Sequence, residues 1–437
     1  MNLYEKFEIS DNFIKFKISK QLKERFVDND FWVKYGKTEI NDAEECLNIP
    51  LILNIAPVIW ATNLKVNVPI IDRQLYDSLK DLKIILKKMY PSLEWRGEIY
   101  ATNIAEPEKN IKKKYSMLFS GGVDSLNTLL THLEKKPILI SIRGADIKLD
   151  DDVGWNNVKD NTLKLSDKYN LETIFIESNL YGFLNQSKLN GICKSIPGWW
   201  GGVQHSMGFM GLIAPFSENF SIKNCFIAST HSVGYQKPWG STPDLDNKIS
   251  FLNFRADHDA YEFNRVEKIQ NIVKFNKKNK NDIFLRVCYK NNENAGRNCC
   301  KCEKCIRTII ALCAQSENPK NFGFDIKEQD IERNVNEMFN NKNHLFDDNL
   351  LFQWTTIQKN IQSKDFYLGT NISNEIINTL LKIKSINFYS YRKDTEIKRK
   401  KRVNILSKFK NSALIMFFAR FIPKSVKERL ISFLSSF

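Results

Sequence analysis

The sequence predicts an α/β protein built around a parallel sheet, and three observations carry that reading. From Tyr115 onward, short apolar runs of strand character alternate with stretches long enough for helices. A Ser/Gly loop, Ser120-Gly-Gly-Val-Asp-Ser125, directly follows the first of these runs and precedes a helical run, Leu126 to Leu133. The chain has 437 residues and 42% apolar content, enough for about two or three domains with sizeable cores. Strands separated by helix-length segments imply right-handed crossovers and parallel pairing, and such sheets bind ligands at the carboxyl ends of their strands.

Residues 1–112 read as a small α+β domain. Phe13–Ile18 alternates like a strand, Leu51–Trp60 is strongly apolar, and Leu75–Tyr90 is helical, with Leu75, Leu79, Leu82, Ile85 and Leu86 on one side. A charged linker, Glu106 to Lys114, follows. The central domain, 113–318, has strand candidates at Tyr115–Phe119, Pro137–Ile142, Thr173–Glu177, Cys225–Ser229 and Ile283–Val287. Helices are expected at Val158–Tyr169 and Val203–Pro215. Ala256 to Lys268 reads as a helix with an acidic start, which would put Asp259, Glu262 and Arg265 on one face. Residues 319–390 read as a helical region and 391–437 as a basic amphipathic tail.

The formal charge of +15 is uneven. From Tyr391 to Phe437, thirteen Lys or Arg stand against Asp394, Glu396 and Glu428, which leaves the body nearly neutral. That distribution argues against a uniformly basic nucleic-acid binder. The N-terminus has no apolar leader, and no run reaches the ~18 uncharged apolar residues of a membrane span. A cytoplasmic protein is expected. In the tail, Lys398-Arg-Lys-Lys-Arg402 precedes Ile405, Leu406, Phe409, Leu414, Phe417 and Phe418. Basic residues beside bulky apolar ones fit peripheral contact with anionic membrane; the alternative is a helix packed on its own protein.

The loop at Ser120 has the chemistry of an anion site. Gly121 and Gly122 let the backbone bend tightly, successive amides at a helix N-terminus attract phosphate, and Ser120 and Ser125 add hydroxyls. Asp124 is a phosphate partner only through a cation, which points to Mg²⁺. The Walker pattern is absent. The string Ser120-Gly121-Gly122-Val123-Asp124-Ser125 resembles the PP-loop of the N-type ATP pyrophosphatase, or adenine nucleotide α-hydrolase-like, superfamily. The resemblance implies a five-stranded parallel Rossmann-like (HUP) sheet and an ATP site. In that site the loop grips the β- and γ-phosphates as leaving pyrophosphate. It also puts the adenosine at the end of the second strand, near Ile142 and Arg143; a surface role for Arg143 is the alternative. The plain alternative for the loop is a Ser/Gly turn.

Nine cysteines are present, and four crowd into Cys299–Cys305. Cys288, Cys299, Cys302 and Cys305 are spaced for a tetrahedral Zn²⁺ site with no open position, hence a structural one. Lys301, Lys304, Arg297 and Arg307 would offset its charge. Cys300 is a fifth candidate, and buried or redox thiols or an iron–sulfur cluster are the alternatives. A PP-loop followed by this cysteine pattern resembles 7-cyano-7-deazaguanine synthase and its relatives over about Tyr115 to Cys313. The Cys288–Cys299 spacing is long for that enzyme, and Arg143-Gly-Ala-Asp-Ile147 departs from the stretch associated with its substrate. The resemblance therefore implies adenylation chemistry and zinc without naming the acceptor.

His231, after the strand at Cys225, lies where a substrate should bind. Arg265 or Lys268 would offset charge on leaving pyrophosphate, or form ion pairs on a solvated helix. With Asp124 these are the candidate catalytic residues. The expected function is an ATP-dependent enzyme that activates a carboxylate or amide oxygen for a nitrogen nucleophile, acting on a small-molecule or protein acceptor. A thiolating or RNA-modifying enzyme using Cys193 or Cys225 is the second reading, and a nucleotide-binding scaffold without turnover is the third.

Overall fold

The computed structural model describes residues 1–107, 113–279, 283–288, 298–340, 346–363, 372–389 and 391. The charged linker's centre, Arg297 and the basic tail after Tyr391 lie outside the described residues. The chain divides into two compact units, Met1–Cys299 and Cys300–Phe437.

The first unit is a mixed α/β body on a nine-stranded sheet. Its strands are β1 (Tyr4–Ser10), β2 (Phe13–Ile18), β3 (Phe31–Lys34), β6 (Lys114–Leu118), β7 (Ile138–Arg143), β8 (Thr173–Ser178), β9 (Ile222–Ala228), β10 (Ser250–Phe251) and β11 (Phe254–Asp259). Two more strands, β4 (Lys65–Asp72) and β5 (Glu98–Ala105), pair in parallel as a separate ribbon. The order across the large sheet is β1-β2-β3-β8-β7-β6-β9-β11-β10. The run β8-β7-β6-β9-β11 is parallel throughout. The flanking pairs, including β3–β8, are antiparallel.

Residues 1–107 therefore do not stand apart. β1 and β2 form a hairpin on a two-residue turn, Asp11-Asn12, with both φ positive. β3 then joins that hairpin to β8, so no boundary between compact units falls near residue 112. The apolar run at Leu51 is the centre of an 18-residue helix, Glu44–Ala61, buried from Cys46 to Ala61. By length and composition it would pass for a membrane span, and 89% of it is buried inside the protein. Its two polar interior residues are satisfied. Asn48 accepts from Tyr4 and donates to the Ile70 carbonyl, and Asn54 donates to Pro50 and accepts from Gln204. The helix Arg73–Met89 is capped by Asp72, which accepts from the Leu75 amide.

Two expectations fail here. Ala256–Lys268 is not one helix: its first four residues, Ala256–Asp259, lie in β11, entered by a tight turn at Leu252-Asn253 with both φ positive. The helix begins only at Arg265, so Asp259 and Arg265 do not share a helical face. Ile283–Val287 belongs to no strand. Its backbone is held by an Arg286 amide bond to the Gly121 carbonyl and by Asn298, whose side chain bonds Val287 N and Leu285 O. β11 occupies the fifth place in the parallel run instead.

The second unit is helical in its described residues: Glu303–Cys313, Glu328–Asn340, Asp348–Gln362 and Asn374–Ser385. Trp354 is fully buried, and its indole N–H donates to Glu303, which also pairs with Arg307.

Candidate functional site

The loop at Ser120 sits at the carboxyl end of β6, and its neighbours set its shape. Ser141 on β7 donates to the Phe119 carbonyl at 2.8 Å and fixes the strand's end. Gly121 has φ +74, and a Cβ there would come within 2.4 Å of Asn161 Nδ2. Only glycine fits that step without strain. Gly122, extended at φ −78 and ψ 174, is the N-cap of the helix Val123–Thr131. The Ser120 amide donates to Ser125 Oγ, and the two hydroxyls lie 3.2 Å apart. The result is a strand–turn–helix with amides at a helix N-terminus.

Cationic side chains converge on this turn. Arg265 Nη1 donates to Asp124 Oδ2 at 3.0 Å, and Lys268 Nζ reaches Asp124 Oδ1 at 3.4 Å. Both come from the first turn of the helix Arg265–Asn279, which packs on the helix Val123–Thr131. Lys268 is 1% exposed and also donates to the Ser229 carbonyl at the end of β9. The Arg265 side chain is 9% exposed, and its Nε and Nη2 have no hydrogen-bond partner. Arg286 lies on the loop's other side: its amide bonds Gly121, Nη1 reaches the Ser120 carbonyl at 3.5 Å, and Nε and Nη2 have no partner. Burial pulls its guanidinium below the ordinary value, opposed by Asp151 and Cys288. Two cations thus pair with Asp124, and a third, Arg286, reaches the loop from its other side. Two of the three carry buried N–H groups unsatisfied within the chain, an arrangement suited to a multiply charged anion.

The structure brings Asp124, Arg265 and Lys268 together as direct neighbours. His231 follows β9 two residues beyond Ser229. Burial, then the nearby His258 and the Lys268 ammonium, push its imidazole down to about 4, against the pull of Asp124. It is neutral at physiological pH, with Nδ1 unpartnered and its ring against Tyr235 and Trp239. Trp239 also lies against His205, which follows a π-helical turn at Trp200–Gln204. Asp259, expected beside Arg265, instead accepts from Thr128 and pairs with His132 at 2.6 and 2.7 Å.

Ile142 is half-buried near the end of β7. Arg143 is not a surface residue. It is 6% exposed and holds the following loop through Glu177, Asp152 and the carbonyls of Lys148 and Leu149. Four of its N–H donors are engaged within the protein, and Gly144 beside it, at φ +119, presses on the Ser178 carbonyl where no Cβ fits.

The sulfurs of Cys288, Cys299, Cys302 and Cys305 lie within 4.8 Å of one another and can hold a metal ion. Four thiolates at this spacing fit tetrahedral zinc, whose ~2.3 Å bonds set sulfurs roughly 3.8 Å apart. Cys302 caps the helix Glu303–Cys313 and Cys305 lies in its first turn, where the helix dipole favours thiolates. Cys300, the fifth candidate, is outside the cluster. It takes a left-handed φ of +56 and is buried, with Asn334 donating to its carbonyl. Arg307, expected to offset the thiolates, is paired with Glu303 at 3.1 Å.

Arg286 escaped the sequence reading because it lay inside a segment taken for a strand; its place two residues before a ligand cysteine was the available signal. Comparison of the chain with protein-family models, with curated proteins and with solved structures finds no match.

Proposed function

We propose that the chain is an ATP-dependent adenylating enzyme whose parallel run β8-β7-β6-β9-β11 is a five-stranded Rossmann-like (HUP) sheet of the PP-loop type. The observation that carries this reading is the convergence of Arg265, Lys268 and Arg286 on the glycine turn at a helix N-terminus. Such a cradle favours a polyphosphate over a single carboxylate. The loop Ser120–Ser125 would hold the β- and γ-phosphates, with the nucleoside toward Ile142. Arg143 would act by shaping that edge, since four of its own donors are engaged. Asp124 fits Mg²⁺ as the carboxylate of the loop. An ion taking Asp124 would release Arg265 and Lys268 to the phosphates.

In the reaction, an acceptor carboxylate or amide oxygen forms a bond to the α-phosphorus. The bond from that phosphorus to the bridging oxygen breaks, and pyrophosphate leaves with the electron pair. A nitrogen nucleophile then displaces AMP. Arg265, Lys268 and Arg286 offset charge growing on the leaving pyrophosphate. Neutral His231, beyond β9, would hold a proton of the acceptor or nucleophile. Zinc at the four cysteines is structural, since four thiolates leave no site for substrate.

The thiolating alternative has one observation in its favour. Burial alone would raise the Cys193 thiol, yet hydrogen bonds with Ser195 and Ser92 hold it below its ordinary value. Cys225, pushed up to about 12 by burial, is unsuited. The composition of the tail supports a cytoplasmic protein in peripheral contact with anionic membrane.

The test is to identify small molecules co-purifying with the protein by mass spectrometry, then to measure pyrophosphate release with each as acceptor. Acceptor-dependent release with AMP formation, and no sulfur incorporation, supports the reading. ATP binding without turnover for any trapped acceptor favours the scaffold.

A further inference from the structure

Arg286 is placed by two independent constraints. On one side its backbone amide is hydrogen-bonded to Gly121 of the loop, at 3.0 Å. On the other, the same segment runs into Cys288. Asn298, beside Cys299, clamps that segment at Val287 N and Leu285 O, at 3.0 and 2.7 Å. Cys288 and Cys299 both contribute to the sulfur cluster. No sheet strand holds residues 283–288, so these side-chain clamps and the sulfur centre substitute for a ladder. A guanidinium with two buried nitrogens unpartnered within the chain is costly, and it persists only where the backbone holds it.

We propose that Arg286 is a phosphate ligand positioned by the metal at the four-cysteine centre, so that metal binding and polyphosphate binding are coupled. The inference rests on the phosphate-loop reading above. The metal ties Cys288 to Cys299, that closure fixes the segment 285–288, and the segment carries the guanidinium to the loop. Coupling of this kind is reciprocal: a metal that tightens polyphosphate must itself be held more tightly when polyphosphate is bound.

The experiment uses the zinc-loaded full chain and magnesium pyrophosphate as probe, with affinity read by calorimetry. Arg286→Gln is expected to weaken pyrophosphate roughly 10- to 100-fold, the range for one charge-assisted contact, with zinc content unchanged. Arg286→Lys should recover part of that loss. Stripping zinc with a chelator under native conditions should weaken pyrophosphate in the wild type by a similar factor. In the Arg286→Gln background it should cost little more. Two readouts are independent of pyrophosphate affinity. Zinc removal should speed hydrogen exchange at the Arg286 and Val287 amides, and saturating pyrophosphate should slow zinc extraction. Wild-type binding that Arg286→Gln leaves intact overturns the proposal alone, as does an equal cost of zinc removal in both backgrounds. A wild type that binds neither pyrophosphate nor ATP overturns the phosphate-loop reading and this proposal with it.

Discussion

Replacing Gly121 by alanine tests the loop without touching a charge. The substitution asks a residue with a Cβ to hold φ +74, which costs about 1–2 kcal/mol. The new carbon would also stand 2.4 Å from Asn161 Nδ2. That atom ends a flexible side chain, so it turns away at a rotamer cost of about 0.5–1.5 kcal/mol. The two effects together give about 1.5–3.5 kcal/mol. Gly122→Ala is the control: its backbone is extended, and the nearest atoms to a new Cβ are 3.5 and 3.7 Å away. It should lose only the N-cap preference, about 0.5–1 kcal/mol. Urea unfolding followed by tryptophan fluorescence reads all of this as differences between variants. Adding Asn161→Ala to Gly121→Ala should return the steric part and leave the backbone part. Magnesium pyrophosphate titrations on the same proteins should show weaker binding in both glycine variants, including the nearly native Gly122→Ala. A Gly121→Ala protein no less stable than Gly122→Ala, or one that Asn161→Ala does not relieve, refutes the account of the turn.

Four further outcomes are expected. Asp124→Ala should abolish magnesium-dependent pyrophosphate release, and it should destabilise the protein by about 1–3 kcal/mol because buried Lys268 loses a carboxylate; Asp124→Asn, which keeps an acceptor, should cost less in urea unfolding. Purified protein should hold about one zinc per chain by elemental analysis, and Cys302→Ser should lower both metal content and melting temperature where Cys300→Ser spares the metal. The His231 imidazole, about 4 when folded and near 6.5 when unfolded, makes the unfolded state the better proton binder between those values. Its contribution to stability is therefore full above about pH 6.5 and lost as pH falls toward 4; His231→Gln should flatten that part of the urea-midpoint profile. Full-length protein should co-sediment with anionic vesicles and detach only partly in high salt, whereas a chain ending at Ser390 should stay unbound and keep pyrophosphate affinity.

Strands β6 to β9 were legible because they are buried and apolar, with helix-length gaps between them. β11 was not, and the reason is its position. Its last three residues, Asp257, His258 and Asp259, are polar because each is tied to a polar partner, Asn224, Asp246 or the Thr128–His132 pair, and an acidic run imitates a helix start. The opposite error arose at Ile283–Val287, where alternation of buried and exposed residues came from clamping against the loop and Asn298. The loop, Asp124 and the four cysteines were readable because their spacing is local. The approach of Arg265 and Lys268 to Asp124 spans more than 140 residues, and pattern alone offered it as one choice among several. Nothing local in the first 34 residues announces that they complete the sheet, because pairing with β8 is a long-range choice.

That last pairing has a consequence for how the chain is made. Val33 lies opposite Ser178 in the β3–β8 ladder, about 145 residues later in the chain. At a synthesis rate of ~5–20 residues per second, the first hairpin waits about 7 to 30 s for its partner to leave the ribosome. Throughout that interval β3 offers an open row of amides and carbonyls, and the apolar helix Glu44–Ala61 still lacks the helices His205–Gly211 and Ala214–Ser217 that later pack on it. The nascent chain is then at its stickiest. A stall placed before Thr173 should raise chaperone binding and aggregation far more than the same stall placed after Ala228.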